Sequence, residues 1–180
     1  MFSSRAQKFV FWWCVLSGLV HLTWELGFCL MHKQMVTGMN NPAWMIPWTA
    51  YAVADTRYMF SDPFIVALEW LTVVTVTPMN FYVAVQIRKL TQQRKAALVL
   101  VVFSVMEVYG AVMYFLVEHR HGWSHTVPGS FVEFWIKVVA TNGIWLVLPT
   151  ICLYLGGRAL LVADGAVAAA SKQREERRAA

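Results

Sequence analysis

Four long apolar stretches separate the polar segments of this sequence, at residues 9–31, 64–87, 96–117 and 131–155. As helices, all four are long enough to cross the hydrocarbon core of a bilayer, which takes about 20 residues. The first stretch exceeds the apolar run of a signal peptide and lacks a small-residue cleavage site, so we expect it to be retained. The sequence therefore predicts an all-α polytopic membrane protein, a bundle of four transmembrane helices.

Composition supports this prediction. Hydrophobic residues make up 58% of the chain and charged residues 14%, whereas soluble domains are about half apolar and about a quarter charged. The 180 residues suit one membrane domain over residues 1–161 and a charged tail over residues 162–180. Cys14, Cys29 and Cys152 lie in the predicted spans, and we expect them to be buried, reduced thiols outside any disulfide framework or metal pattern.

The basic residues concentrate in alternate connections. The N-terminal segment, the second connection and the tail carry Arg5, Lys8, Arg88, Lys89, Arg94, Lys95, Arg158, Lys172, Arg174, Arg177 and Arg178. The other two connections and the start of the last span hold only Lys33, Arg57, Arg120 and Lys137. The positive-inside rule then places both termini in the cytoplasm. Because topology explains the net charge of +5, we predict no nucleic-acid partner.

The first connection, residues 32–63, is aromatic and interrupted by prolines, which break long helices. It predicts a short segment that caps one end of the bundle, with its rings at the membrane interface. These rings belong to Trp44, Trp48, Tyr51, Tyr58 and Phe60. Residues 55–58, with Asp62 nearby, fit either a polar clasp on this cap or an ordinary solvated loop.

His21 and Glu25 lie four residues apart near the middle of the first apolar stretch. Helical spacing places them on one face, one turn apart. Glu69 and Glu107 add two further ionisable groups at membrane depth. Such groups are costly in a bilayer and by default indicate a functional site, often one that moves protons. The alternative is a buried ion-paired cluster with a purely structural role.

Other polar residues within the spans have simpler explanations. Thr72 and Asn142 fit interhelical hydrogen bonds as well as a site, and Pro78 predicts a helix kink near Val74. Trp145 is unlike the tryptophans near the span ends because it lies mid-span, three residues from Asn142.

The rim of the third span carries a charged triplet at residues 118–120, which could pair internally. His119, His121 and His125 in the same segment are weak evidence for a metal site. The sequence has no phosphate-binding loop, nucleophile elbow, HExxH motif or cysteine-rich metal pattern. We therefore predict neither a cofactor nor a metal.

The sequence resembles the emopamil-binding protein family, the sterol Δ8–Δ7 isomerases, and the wider EXPERA domain that includes the sigma-2 receptor. The matching segments are LVHLTWELGF (19–28), ADTRYMFSDPFIVALE (54–69), Pro78, VYGAVMYFLVEHRHGWSH (108–125) and NGIWLVLP (142–149). The resemblance implies a helical bundle around a lipid-accessible cavity. It also implies a cofactor-independent isomerase that protonates the sterol at C9 and removes a proton from C7, through a carbocation.

The resemblance also implies roles for individual residues. His21 with Glu69 would form the proton relay, and Glu25 with Asn142 would provide orientation and charge balance. Trp145 would face the cation. Substrate-binding candidates are Thr72, Glu107, Tyr109, Tyr114 and Trp145. The sequence leaves open which group donates the proton and which accepts it.

The chain departs from the family pattern in three respects. The sterol isomerases carry an extra N-terminal span, so this chain begins at the equivalent of their second span. They have aspartate where this chain has Ala111, and glutamine where it has Glu107, which moves the acid by one helical turn on the same face. They have threonine where this chain has Val117.

These departures keep several functions open. The first expectation is sterol isomerisation in the endoplasmic reticulum, with a sterol or related polycyclic lipid as substrate, membrane lipid as surroundings and a homodimer as a further candidate assembly. An isomerase of a non-sterol terpenoid and a non-catalytic lipid-binding protein of the sigma-2 type are the alternatives. A proton-coupled transporter is disfavoured because four spans leave little room for inverted repeats.

Overall fold

A computed structural model describes residues 2–37 and 42–179. Its helices are α1 (Ser4–Val20), α2 (Leu26–Thr37), α3 (Ile46–Ala52), α4 (Thr56–Met59), α5 (Pro63–Leu71), α6 (Thr77–Gln86), α7 (Gln93–Arg120) and α8 (Thr141–Ala179). Two π-helical segments, His21–Glu25 and Thr72–Val76, join α1 to α2 and α5 to α6. A third, Phe131–Ala140, leads directly into α8. Short 3-10 turns occur at Ala43–Met45 and Leu90–Gln92. No strand forms in the described ranges, which confirms the all-α fold class.

Four continuous helices are long and apolar enough to cross a membrane, as the sequence predicts. They are Ser4–Gln34, Pro63–Gln86, Gln93–Arg120 and Phe131–Ala163, and below they are the first to fourth spans. α7 packs most extensively against α8, while α1 and α7 both pack against α6. Large apolar side chains such as Trp12, Leu30 and Val74 are exposed on the outer surface, which suits a lipid environment and would be unusual in a soluble monomer.

Two separate hydrophobic clusters form the core, and every span contributes to both of them. The terminal cluster comprises Val10, Trp13, Cys14, Val76, Val83, Ala84, Ile87, Ala96, Leu100, Phe103 and Cys152. The capping cluster comprises Phe28, Met45, Trp48, Ala52, Ala54, Tyr58, Ile65, Tyr114, Phe134 and Val138. Along each span, the polar residues of interest fall between these clusters. The bundle thus encloses a polar layer between two apolar ones.

The capping segment lies deeper in the protein than the sequence indicates. Trp44 and Phe60 are exposed, as an interfacial position requires, but Trp48 and Tyr58 are buried in the capping cluster. The prediction of an interfacial position was therefore wrong for these two rings. The indole of Trp48 donates a hydrogen bond to the Trp24 carbonyl at 3.0 Å, which ties the cap to the first span. Residues 38–41 of this connection lie outside the described part of the chain.

A buried ion-pair network closes the capped end. Arg57 is 2% exposed and pairs with Asp55, with Nη2 2.6 Å from Oδ2. Its Nε lies 3.6 Å from Oε2 of Glu118, and the same oxygen is 2.9 Å from Nδ1 of His125. Residues 55–58 therefore form a clasp, and the solvated-loop alternative is wrong. Internal pairing of the 118–120 triplet is wrong too, since Glu118 binds partners elsewhere in the chain.

Near Val74, where the sequence predicts a kink, the second span contains a π-helical segment, Thr72–Val76, which ends two residues before Pro78. Proline lacks an amide hydrogen, and its ring would collide with the carbonyl four residues earlier, here Val74. A wider turn at this point removes that conflict. Cys14, Cys29 and Cys152 are buried and free, as predicted.

Candidate active site

His21 is 1% exposed and has a carboxylate at each ring nitrogen. Nδ1 lies 2.7 Å from Oε2 of Glu25, and Nε2 lies 3.3 Å from Oε1 of Glu107. The first contact is an ion-pair approach without hydrogen-bond alignment, since neither atom meets hydrogen-bond geometry. Because both carboxylates are buried, a protonated ring has a counter-charge on either side.

A second carboxyl group adjoins this arrangement. Glu69, on the second span, lines the same two cavities as Glu25. Two buried carboxyl groups at one site are costly to ionise together. Oε1 of Glu69 accepts a hydrogen bond of 2.6 Å from the hydroxyl of Tyr58. His21, Glu25 and Glu69 thus form a row of ionisable groups from the first span to the second.

Asn142 connects the fourth span to the cap. Its Nδ2 donates to the Tyr51 hydroxyl at 2.7 Å and to the Val138 carbonyl at 2.7 Å. The Tyr51 and Tyr114 hydroxyls are 3.0 Å apart, and Tyr114 donates its own hydrogen to Asp55. Tyr51 must therefore be the donor to Tyr114, which makes a one-way chain from Asn142 to the clasp.

Trp145 lies next to His21. The two rings stack with centroids 4.8 Å apart and planes inclined by 29°. The electron-rich face of an indole favours positive charge nearby. Trp145 can thus stabilise either a protonated His21 or a cation in the adjoining cavity.

Two adjoining cavities share this row of residues. The smaller one, of about 70 Å³, lies between the second, third and fourth spans beside His21, Glu107 and Tyr114. The larger one, of about 400 Å³, lies between the first and fourth spans beneath the cap and is walled mainly by apolar and aromatic side chains. Both are lined by Glu25, Tyr58, Glu69, Asn142 and Trp145. An apolar cavity with a few converging polar groups is the usual form of a small-molecule site.

Eight of the nine residues singled out from the sequence line these cavities: His21, Glu25, Glu69, Thr72, Glu107, Tyr114, Asn142 and Trp145. Tyr109 lines neither and is 65% exposed. The reason is helical geometry, since residues two apart point to different faces. Ala111, four residues from Glu107, does line the smaller cavity.

The observed pairings differ from those that the resemblance implies. The described ion pairs join His21 to Glu25 and Glu107, whereas Glu69 receives its described hydrogen bond from Tyr58. Asn142 bonds to Tyr51 and its own helix, while Thr72 donates to the Leu68 carbonyl.

Several polar residues at the site were not foreseen. Tyr51 and Tyr58 reach it from the capping segment, where the sequence predicts that aromatic rings lie at the membrane interface. Ser17 donates a hydrogen bond to Glu107, and Asn80 donates one to Ser17. Their sequence signal is weak, because single small polar residues are common in membrane helices.

A group with metal-binding chemistry lies outside the cavities, at the capped end. Glu118, His121 and His125 each place one potential ligand atom within 4.8 Å of the others. Glu118 already accepts a hydrogen bond from the His125 amide at 2.9 Å and pairs with Arg57. A guanidinium at this distance opposes a bound cation, so the group is explained as part of the clasp.

Comparison with known proteins places the chain in a family. The sequence model described as EXPERA (EXPanded EBP superfamily) matches residues 45–155. The chain belongs to the EXPERA family. The match covers the cap and the second to fourth spans up to residue 155, whereas His21 and Glu25 precede it.

The curated relatives of this EXPERA protein include named isomerases. It is 33% identical to a rat 3-beta-hydroxysteroid-Delta(8),Delta(7)-isomerase over 143 residues, 79% of this chain and 60% of the relative. It is 31% identical to the guinea-pig protein of the same name, over 79% of this chain and 60% of the relative. A protoglabretal synthase of Ailanthus altissima is 21% identical over 83% of this chain and 66% of its own length. The chain thus spans about 60% of the length of the mammalian relatives.

Proposed function

We propose that the protein is an isomerase that moves a carbon–carbon double bond within a polycyclic terpenoid, by proton transfer inside the membrane. The observation that carries this proposal is the presence of two carboxyl groups, Glu25 and Glu69, at the wall of one apolar cavity, with His21 2.7 Å from Glu25. A proton held by such a pair can be given to an alkene and taken back from a neighbouring carbon. No net hydrogen is gained or lost in this exchange, so the two carboxyl groups can carry out both proton transfers.

The reaction has two proton transfers. The proton held by the pair Glu25 and Glu69 moves to one alkene carbon, which leaves a carbocation on the other. A carboxylate of the same pair then removes a proton from the adjacent carbon, and the electrons of that C–H bond form the shifted double bond. The pair ends in its starting state. His21, in contact with Glu25, balances the charge of the doubly ionised pair in between.

The cation between these steps needs stabilisation that does not involve water. Glu25 and Glu69 supply opposite charge in a medium of low dielectric, where Coulomb attraction is strong. Trp145 lines both cavities and offers an aromatic face to the cation. The apolar walls exclude water, which would otherwise capture the cation as an alcohol.

The substrate class follows from the cavity and the relatives. An apolar chamber of about 400 Å³ beside four membrane spans suits a lipid with few polar groups. We infer a sterol with a Δ8 double bond as the substrate and the Δ7 isomer as the product, as the names of the mammalian relatives suggest. A non-sterol terpenoid is the second candidate, because Glu107 and Ala111 depart from the sterol isomerase pattern at the wall of the smaller cavity.

We also propose that both termini face the cytoplasm and that the membrane is the endoplasmic reticulum. The distribution of Lys and Arg over the connections supports this orientation.

The decisive experiment is expression in a yeast strain that lacks its own sterol C8 isomerase, with gas chromatography and mass spectrometry of the sterols. We expect the accumulated Δ8-sterol to disappear and the Δ7-sterol to appear. In deuterated medium, one deuterium should enter the ring. His21→Ala and Glu69→Gln should each abolish the conversion at equal protein levels.

Persistence of the Δ8-sterol at full expression would exclude sterol isomerisation. Purified protein would then be incubated with tetracyclic triterpenoids that carry the same kind of double bond. Conversion of one of them would establish the second candidate. Tight sterol binding without conversion of any substrate would instead establish a non-catalytic binding protein.

A further inference from the structure

A chain of buried hydrogen bonds leads from Asn80 through Ser17 to Glu107. The Ser17 hydroxyl donates to Oε1 of Glu107 at 2.9 Å. The same hydroxyl accepts a hydrogen bond of 2.9 Å from Nδ2 of Asn80. Ser17, Asn80 and Glu107 come from the first, second and third spans, so these hydrogen bonds connect three helices through side chains alone.

The donor and the acceptor of each of these hydrogen bonds follow from the chemistry of the side chains. The amide nitrogen of Asn80 can only donate, so the Ser17 oxygen accepts. Ser17 has a single hydrogen, and it is committed to Glu107. Oε1 of Glu107 therefore accepts from Ser17, and it is the same oxygen that lies 3.3 Å from Nε2 of His21. Hydrogen bonds donated to a carboxylate stabilise its ionised form, which is the form that can hold a protonated His21.

All three side chains of this hydrogen-bonded chain are buried. Ser17 and Asn80 are 0% exposed, and Glu107 is 6% exposed. Buried polar groups are costly unless they are hydrogen-bonded, and these three bond to one another. Together they fix the position of Glu107 beside His21.

We propose that Asn80 and Ser17 are positioning residues of the isomerase site, which act on His21 only through Glu107. Asn80 lines neither cavity, so it touches no substrate in either of them, whereas Ser17 also lines the larger cavity. It orients Ser17, Ser17 orients Glu107, and Glu107 holds the ring of His21 from the side opposite Glu25. The inference rests on the proposed isomerase function for its kinetic test, and it has a second test that needs no turnover.

The kinetic test uses the full chain in lipid nanodiscs with the Δ8-sterol. Asn80→Leu keeps the side-chain size and removes the donor, and Ser17→Ala removes the hydroxyl. Each should lower kcat about 10-fold, because a hydrogen bond that positions Glu107 is lost. For Asn80→Leu, KM should stay within about twofold, since Asn80 lines neither cavity. Ser17 lines the larger cavity, so the KM criterion applies to Asn80→Leu alone. Thr150→Ala is the matched control, since the Thr150 hydroxyl is exposed and bonds only to its own helix at Leu146.

A double-mutant cycle separates positioning from general loosening of the bundle. In the Glu107→Gln background, Asn80→Leu and Ser17→Ala should cause no further loss of kcat beyond about twofold, because the group through which they act has already changed. An undiminished further loss in that background would overturn the inference.

The second test is the ¹⁵N NMR spectrum of the His21 ring, assigned by comparison with His21→Gln. Asn80→Leu should shift the Nε2 resonance, and Thr150→Ala should not. Unchanged His21 resonances in a folded Asn80→Leu protein would overturn the inference whatever the kinetics. If the wild-type protein converts no substrate, the proposed function fails, and this spectrum alone then decides the inference.

Discussion

The hydroxyl of Tyr58 lies 2.6 Å from Oε1 of Glu69, and it reaches this carboxyl group from the capping segment rather than from a spanning helix. Burial raises the pKa of Tyr58 well above its usual value, so the hydroxyl keeps its proton and donates it. The cap is therefore part of the site as well as its cover. Through Tyr58, the cap fixes the position of Oε1 of Glu69.

Tyr58→Phe should lower kcat about 10-fold with little change in KM, because it removes a hydrogen bond to a charged group without altering the shape of the cavity. It should also lower the free energy of unfolding by about 1–3 kcal/mol, since a buried oxygen of Glu69 loses its donor. Turnover of the Δ8-sterol and thermal unfolding in detergent measure the two effects. Tyr154→Phe, at an exposed tyrosine of α8, is the control, and equal losses in both variants would contradict the assigned role.

The spans and most of the cavity-lining residues could be predicted because membrane burial makes ionisable groups costly. His21, Glu25, Glu69 and Glu107 stand out in apolar sequence for that reason. Helical periodicity then places Ala111 with Glu107 on one wall. The same rule excludes Tyr109, and strict use of it would have removed that residue from the prediction.

The contributions of the cap and of the polar chain could not be predicted from the sequence. Whether Tyr58 faces lipid or a buried carboxyl group depends on how the loop folds back, and hydropathy is the same in either case. Ser17 and Asn80 belong to different helices, and their contact depends on the rotation of those helices. The three π-helical segments adjoin the site at His21, Thr72 and Asn142, yet only the second has a local cause, Pro78.

Arg57→Ala should destabilise the protein strongly. It leaves Asp55, which is 0% exposed, without its ion-pair partner, and removal of one partner of a buried pair costs about 3–5 kcal/mol. For a chain of this size the melting temperature should fall by roughly 6–20 °C. Thermal unfolding in detergent measures this fall. Arg158→Ala, at an exposed arginine of α8, should shift the melting temperature by less than about 2 °C, and a comparable shift in both variants would mean that the clasp contributes no special stability.

Tyr51 should make the protein sensitive to alkaline pH. Burial, with a smaller contribution from the charge of Asp55, raises its pKa to about 12, from about 10 in the unfolded chain. A raised pKa favours the protonated, folded form. The stabilisation is therefore complete below about pH 10 and is lost as pH rises through about 12. Unfolding followed by near-ultraviolet circular dichroism from pH 9 to 12.5 should show this loss, and Tyr51→Phe should reduce its slope. An unaltered slope in Tyr51→Phe would assign the alkaline transition to other groups.

Two adjacent glycines of α8 should respond in opposite directions to the same substitution. A Cβ on Gly156 would lie 2.9 Å from Cγ2 of Val101 and 3.2 Å from the Ala97 carbonyl. The backbone of α7 cannot move aside as a flexible side chain can, so Gly156→Ala should cost about 1–3 kcal/mol. A Cβ on Gly157 meets no described atom within 4 Å. Alanine there should stabilise the helix by about 0.5–1 kcal/mol. Paired thermal unfolding of the two variants tests the packing of α7 against α8, and a Gly156→Ala protein as stable as Gly157→Ala would show that the two helices are farther apart than in this structure.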